Sequence, residues 1–142
     1  ADRFLPPTPI RVVINHHGKP ELNTDGRFIS LPKEMKNGPA HLIPEFGQLN
    51  KLIPPMIEAS EQLASEQATE LKQHTVADMR KKLSAEINRL ETLAKINMNV
   101  RPGEISLLKE EQKKLEQCLG QARSRLDSIR LVWKGSMERL QN

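Results

Sequence analysis

Apolar residues in the middle of the chain recur at helical spacing. Between positions 79 and 94 they are separated by four, four, three and four residues, so they share one face of a helix. Proline is tolerated in the first turn of a helix, and the pattern therefore predicts a first helix from Pro55 to about Asn97. The stripe consists of Met79, Leu83, Ile87, Leu90 and Ala94.

A second apolar series follows a short break at Pro102 and Gly103, which end the first helix. From position 105 to position 133, alternating steps of three and four continue, a repeat typical of a coiled-coil seam. The short linker requires antiparallel helices, and we expect residue i to face about residue 200 − i. The series consists of Ile105, Leu108, Gln112, Leu115, Leu119, Ala122, Leu126, Ile129 and Trp133.

The first third of the chain has a different pattern, with nine of the ten prolines lying in residues 1–55. A β-branched run at 10–14 leads into the turn residues 15–18, and a second short apolar run at 27–31 follows a similar turn. These two runs predict a β-hairpin. Because an isolated hairpin is marginal in water, we expect it to join a larger sheet or to lie on the helices.

Together the patterns predict a mostly helical α+β fold. Residues 1–54 would form a short N-terminal β-hairpin and a connector rich in proline and glycine. Residues 55–142 would form a long antiparallel α-helical, coiled-coil-like hairpin with its turn near 97–103, and both parts would make one structural unit. The seam would be built by Leu83, Leu90, Leu108, Leu115, Leu119, Leu126 and Ile129.

Composition restricts the class of protein. No apolar run approaches the roughly 18 residues that a membrane span requires. The single cysteine, Cys118, excludes a disulfide within the chain and fits a reducing compartment. It adjoins the seam residue Leu119, which predicts a small apolar packing role. Residue 1 is Ala rather than Met, and we interpret the chain as a piece of a longer protein.

The net charge of +4 raises the question of a nucleic-acid partner. Residues 55–78 contain one Lys and five acids, whereas 118–142 contain five basic residues and two acids, so the predicted hairpin would pair them internally. Arg80, Lys81 and Lys82 remain as candidates for partner contact, against the plainer interpretation of a solvated helix face. Trp133 is a further candidate, either for partner contact or as the last seam residue.

The sequence contains no recognisable catalytic motif. Phosphate-binding loops, dinucleotide fingerprints and the nucleophile elbow are absent. Glu70, His74 and Asp78 lie at i, i+4 and i+8 and could present three ligands to a metal, but a surface histidine between two acids is the favoured interpretation. His16 and His17 lie in a turn. We therefore expect no catalytic, cofactor-binding or metal-binding residue in this chain, and an enzymatic interpretation ranks last.

Four stretches carry a resemblance to a known family. In order along the chain they are 4–13 (FLPPTPIRVV), 82–91 (KLSAEINRLE), 97–101 (NMNVR) and 126–131 (LDSIRL). They are similar to the C-terminal region of the RapA family, bacterial RNA-polymerase-associated Swi2/Snf2-type ATPases that recycle RNA polymerase. Pro54-Pro55 departs from the family pattern, which is continuously helical there, and the tail from Trp133 onwards matches poorly.

The resemblance implies a bacterial, cytoplasmic parent protein that hydrolyses ATP with Mg²⁺ through helicase-like lobes and binds RNA polymerase and DNA. The catalytic motifs would lie outside this chain. The chain itself would be a monomeric, non-catalytic C-terminal scaffold and interaction domain that packs on the upstream domains. Two alternatives stay open, namely a free-standing coiled-coil adaptor that dimerises, and a basic helical module that binds nucleic acid through Arg80, Lys81 and Lys82.

Overall fold

A computed structural model of the chain describes residues 3–38 and 47–135. These residues form two helices, α1 (Leu49–Ile96, 48 residues) and α2 (Pro102–Gly120, 19 residues). They contain no β-strand, so the part of the fold that the structure describes is helical with irregular segments. In that part, neither helix is long and apolar enough to cross a membrane. Residues 39–46 of the predicted connector and 136–142 of the predicted helical hairpin lie outside the described residues.

The chain divides into two compact units. One unit combines Ala1–Pro9 with Glu66–Ser124, and the other combines Ile10–Ser65 with Arg125–Asn142. α1 contributes residues to both units, whereas α2 belongs entirely to the first.

In the first unit the structure is consistent with the predicted antiparallel helical hairpin. α1 ends at Ile96, Arg101 is extended, and Pro102 opens α2 at a position where its missing N–H has no cost. Two ion pairs join the helices. Lys109 Nζ lies 2.8 Å from Glu91 Oε1, and Arg80 Nε lies 2.7 Å from Glu116 Oε1. Both pairs agree with the predicted register of about 200 − i.

The core of this hairpin is small and includes part of the N-terminal segment. Met79 is completely buried, Leu119 is 1% exposed, and Leu83 completes the cluster. Phe4 and Leu5 pack against these three residues from the N-terminal segment, and Val76 and Leu115 pack against them from the helices. On α1, Met79, Leu83 and Ile87 of the predicted stripe are buried and Leu90 and Ala94 are half-buried, so the stripe is confirmed.

The predicted extension of the second helix to Trp133 is wrong, because α2 ends at Gly120. Residues 122–134 have no regular secondary structure, and the predicted seam residues Leu126 and Ile129 are 58% and 59% exposed. Glycine weakens a helix by about 1 kcal/mol relative to alanine. Gly120 directly follows Leu119, the last buried residue of the predicted seam.

Lys72 of α1 interacts with the backbone at the C-terminal end of α2. Its Nζ donates a hydrogen bond of 3.1 Å to the carbonyl oxygen of Ala122. The last turn of α2 carries no basic residue of its own, so Lys72 supplies the cation that the helix dipole favours at this end. The predicted ion pairing between 55–78 and 118–142 includes residues 136–142, which lie outside the described residues, and it stays a prediction.

α1 begins at Leu49 rather than at Pro55, and Pro54 and Pro55 lie within it. The two prolines lack N–H groups, so the carbonyls of Asn50 and Lys51 lose their partners within the helix. All four residues are exposed, and water can hydrate these carbonyls at little cost. Leu49 is buried and anchors the start of the helix. The helix thus continues through the position where the sequence departs from the family pattern.

The predicted N-terminal β-hairpin is not supported. Three extended segments replace it, joined by isolated antiparallel bridges at Ile14–Pro20 and Leu22–Phe28. Glu21, in the middle segment, holds both neighbours: its N–H donates to the carbonyl of Val13 at 2.9 Å, and its own carbonyl accepts from the N–H of Ile29 at 3.0 Å. The runs 10–14 and 27–31 therefore pair with a segment between them, and each pairing is too short to form a strand.

The two turns between these segments use the same local chemistry. In the first, Asn15 Oδ1 accepts hydrogen bonds from the N–H groups of His17 (3.0 Å) and Lys19 (3.1 Å), and Gly18 has a φ of 72°. In the second turn, Asn23 Oδ1 accepts from the N–H groups of Asp25 and Arg27, and Gly26 has the same φ. The repeated Asn-x-x-Gly followed by Lys or Arg is typical of an Asx turn with a left-handed glycine.

The core of the hairpin yields a stability prediction. Leu119→Ala removes a buried side chain and should lower the free energy of unfolding by about 2–5 kcal/mol. Leu126→Ala alters an exposed side chain outside the helix and should change it by less than about 0.5 kcal/mol. Urea denaturation of both variants tests this, and equal losses would show that the seam does extend beyond Gly120.

The two glycine turns yield a second prediction. Alanine at either position requires a left-handed conformation that costs about 1–2 kcal/mol. A Cβ at position 18 would also lie 3.3 Å from Ala59 Cβ of α1, whereas one at position 26 would meet nothing within 4 Å. Gly18→Ala should therefore lower the melting temperature more than Gly26→Ala. The opposite order would mean that the first turn does not pack on α1.

Candidate interaction surface

The basic run predicted as a partner contact divides into one paired and two unpaired residues. The guanidinium of Arg80 donates to both carboxylate oxygens of Glu116, with Nε–Oε1 at 2.7 Å and Nη2–Oε2 at 3.2 Å. Such two-pronged geometry is specific to arginine. Lys81 and Lys82 are exposed and form no ion pair with any residue that the structure describes. Arg80 therefore links α1 to α2. Of these three basic residues, Lys81 and Lys82 are the two available to a partner.

The Arg80–Glu116 contact shifts the ionisation of both groups. The hydrogen bond from Arg80, followed by its positive charge, lowers the pKa of the Glu116 carboxyl, and the same interactions raise the pKa of Arg80. Within α1, the hydrogen bond from Arg89 lowers the pKa of Glu86 in the same way. Because these groups are exposed, their effect on stability is reduced by solvent screening.

Trp133 lies in the other unit, in the irregular segment that follows α2. It is half-exposed and does not close a helical seam, so its predicted seam role is wrong. Its indole nitrogen lies 3.8 Å from the point where a Cβ of Gly135 would stand. Its role in partner contact stays a prediction.

The candidate metal ligands gain no support. His74 Nε2 lies 3.9 Å from Glu70 Oε1, and both side chains are exposed. In residues 3–38 and 47–135, no group of three or more His, Cys, Asp or Glu side chains could hold a metal ion. The rings of His16 and His17 lie with their centroids 3.8 Å apart and their planes tilted by 43°. Cys118 is exposed rather than packed, because the neighbouring Leu119 turns toward the core and adjacent residues on a helix point about 100° apart.

The end of the hairpin carries a surface that the seam pattern missed. Four large apolar side chains near the turn are exposed, and we call them the apolar tip: Leu93, Ile96, Met98 and Leu107. Leu93 and Leu107 lie outside the two seam series. Their position off the seam is the feature of the sequence that could have identified this surface. The tip residues come from the last turn of α1, the linker and the first turns of α2.

The two helices of the first unit are consistent with an α-helical hairpin. The RNA polymerase recycling family, in its C-terminal region, matches residues 1–134, and the chain belongs to this family. The resemblance drawn from the four sequence stretches is thereby confirmed. No solved structure matches the chain.

The curated relatives carry a common name. The chain is 33% identical over 131 residues to the RNA polymerase-associated protein RapA of Vibrio campbellii, 35% identical to that of Yersinia enterocolitica and 31% identical to that of Vibrio vulnificus. Each alignment covers 92% of this chain but only 13% of the relative. The chain thus spans a small part of the length of these relatives.

The Arg80–Glu116 pair yields a prediction of pH dependence. The folded pKa of Glu116 lies below its ordinary value of 4.5, so the pair's stabilisation is fully present above 4.5 and is lost as the pH falls through the lowered value. The melting temperature of the native chain should therefore fall more steeply in this acidic range than that of Glu116→Gln. Parallel pH profiles of the two proteins would show that the pair does not stabilise the hairpin.

Proposed function

We propose that this chain is a non-catalytic C-terminal scaffold and interaction domain of an RNA-polymerase-associated, ATP-dependent Swi2/Snf2-type translocase that recycles RNA polymerase in bacterial transcription. The observation that carries the proposal is the family match over residues 1–134. The relatives' shared name, RNA polymerase-associated protein, supports polymerase as the partner.

In this proposal the chemistry belongs to other parts of the polypeptide. The chain corresponds to about one eighth of its relatives' length, as an alignment share of 13% shows. ATP and Mg²⁺ would bind upstream domains in the cytoplasm, and the helical hairpin would pack on those domains and face the polymerase. DNA would be bound by the parent protein rather than by this chain.

The charges of the hairpin support a contact that depends on salt. Lys81 and Lys82 are exposed on α1, whereas the neighbouring Arg80 is held by Glu116. A contact through the two lysines would be steered by an acidic partner surface and would weaken as salt screens it.

Binding of the chain to immobilised core RNA polymerase tests the proposal. We expect saturable binding that weakens about tenfold or less in Lys81→Gln/Lys82→Gln, because exposed charges contribute modestly to an interface. Arg80 is left intact, since its replacement would disturb the hairpin. Lys113→Gln/Lys114→Gln removes the same charge from α2 and serves as the matched control.

Three results would contradict the proposal. Absence of binding by a chain that melts cooperatively would remove polymerase as its partner. Binding to DNA or RNA that is lost with the two lysines would favour the nucleic-acid module. A monomer–dimer equilibrium in sedimentation would favour the coiled-coil adaptor.

A further inference from the structure

The apolar tip is the most exposed group of large apolar side chains in the first unit. Met98 is completely exposed, Ile96 is 82% exposed and Leu107 is 68% exposed. Exposed apolar residues are common one at a time, but a cluster at one end of a domain marks a contact surface. Close to the cluster, an ion pair joins the two helices, with Lys109 Nζ 2.8 Å from Glu91 Oε1.

The charges around the tip select the kind of partner. Lys95 and Arg101 are exposed and form no ion pair with a residue in the described ranges. The one acid within 93–107, Glu104, lies in the first turn of α2, where the helix dipole favours a carboxylate. The stretch 93–107 therefore carries two exposed cations and one exposed carboxylate beside its exposed apolar side chains, and this excess of positive charge complements an apolar pocket bordered by carboxylates.

The same charges argue against other occupants. Two copies of the tip in contact would bring their lysines and arginines together, and facing like charges are costly. Nucleic acid is bound through phosphates and by aromatic side chains that stack on bases, whereas the tip contains no aromatic residue and is mainly aliphatic. Methionine adapts its shape to irregular pockets and, like arginine, is enriched at protein–protein interfaces.

We propose that the apolar tip of Leu93, Ile96, Met98 and Leu107 is the anchor by which this domain docks into an acid-bordered apolar pocket on RNA polymerase. The inference rests on the proposed function, and it identifies the contact surface within it. Lys95 and Arg101 orient the tip at the border of the pocket, and Lys81 and Lys82 add attraction at longer range.

The test compares two variants that each remove two exposed aliphatic side chains. Ile96→Ser/Met98→Ser alters the tip, and Leu126→Ser/Ile129→Ser alters side chains of 58% and 59% exposure outside it. We expect the tip variant to bind core RNA polymerase at least about tenfold more weakly and the control variant within about twofold, because anchors at an interface carry most of its affinity. Both should melt near the native temperature, since the replaced side chains are exposed.

If the double variant folds poorly, the single change Leu107→Ser on α2 provides a second test of the tip. It should also weaken binding. Lys95→Gln/Arg101→Gln should reduce the dependence of affinity on salt, because it removes the two cations at the border. Replacing Met98 by the photo-cross-linker p-benzoylphenylalanine should yield a covalent product with a polymerase subunit.

The outcomes separate the two proposals. Native binding that the tip variants leave unchanged would overturn the tip as anchor while the proposed function stands. Absence of native binding would overturn the proposed function and the anchor with it. Cross-linking of position 98 to a second copy of the chain, or to added DNA, would overturn the polymerase as occupant of this surface.

Discussion

The first unit depends on the contact of Met79 and Leu83 with Leu119. Isolated helices are marginal in water, and most of their stability in proteins comes from packing an apolar face. Here three side chains form the buried cluster, and Phe4 and Leu5 cover it from the N-terminal segment. The stretch that opens the chain therefore completes a core whose other residues, beginning with Val76 and Met79, lie more than seventy positions further along the chain.

The ion pairs act within the frame that this cluster sets. Arg80–Glu116 and Lys109–Glu91 both join α1 to α2, yet their side chains are largely exposed, and exposed pairs add little to stability. Their effect is on register, because a shift of one helix along the other would separate both pairs at once. Burial holds the helices together, and charge selects the alignment.

Periodicity in the sequence located the helices and their register but not the length of the second helix. A heptad pattern records the spacing of apolar residues and carries no information on whether a partner surface is present. The series continues through Leu126 and Ile129, but the helix ends at Gly120 and both residues are exposed. The prediction of a β-hairpin in the N-terminal segments failed for a different reason. Their turns were predictable from Asn and Gly. Their pairing depends on Glu21, which gives no strand signal because glutamate, like the neighbouring Pro20, is depleted in strands.

The candidate surface shows the same division between local and tertiary information. Three consecutive cations look equivalent in sequence, and only the position of Glu116 on the other helix distinguishes Arg80 from Lys81 and Lys82. For the apolar tip, in contrast, the sequence itself carries a signal. Leu93 and Leu107 fall outside the seam series and lie near the turn. An apolar residue in such a position does not face the core between the two helices. Single exposed apolar residues are common, but several of them at one end of a hairpin mark a candidate contact surface, and a search for such surfaces in other helical hairpins can begin with them.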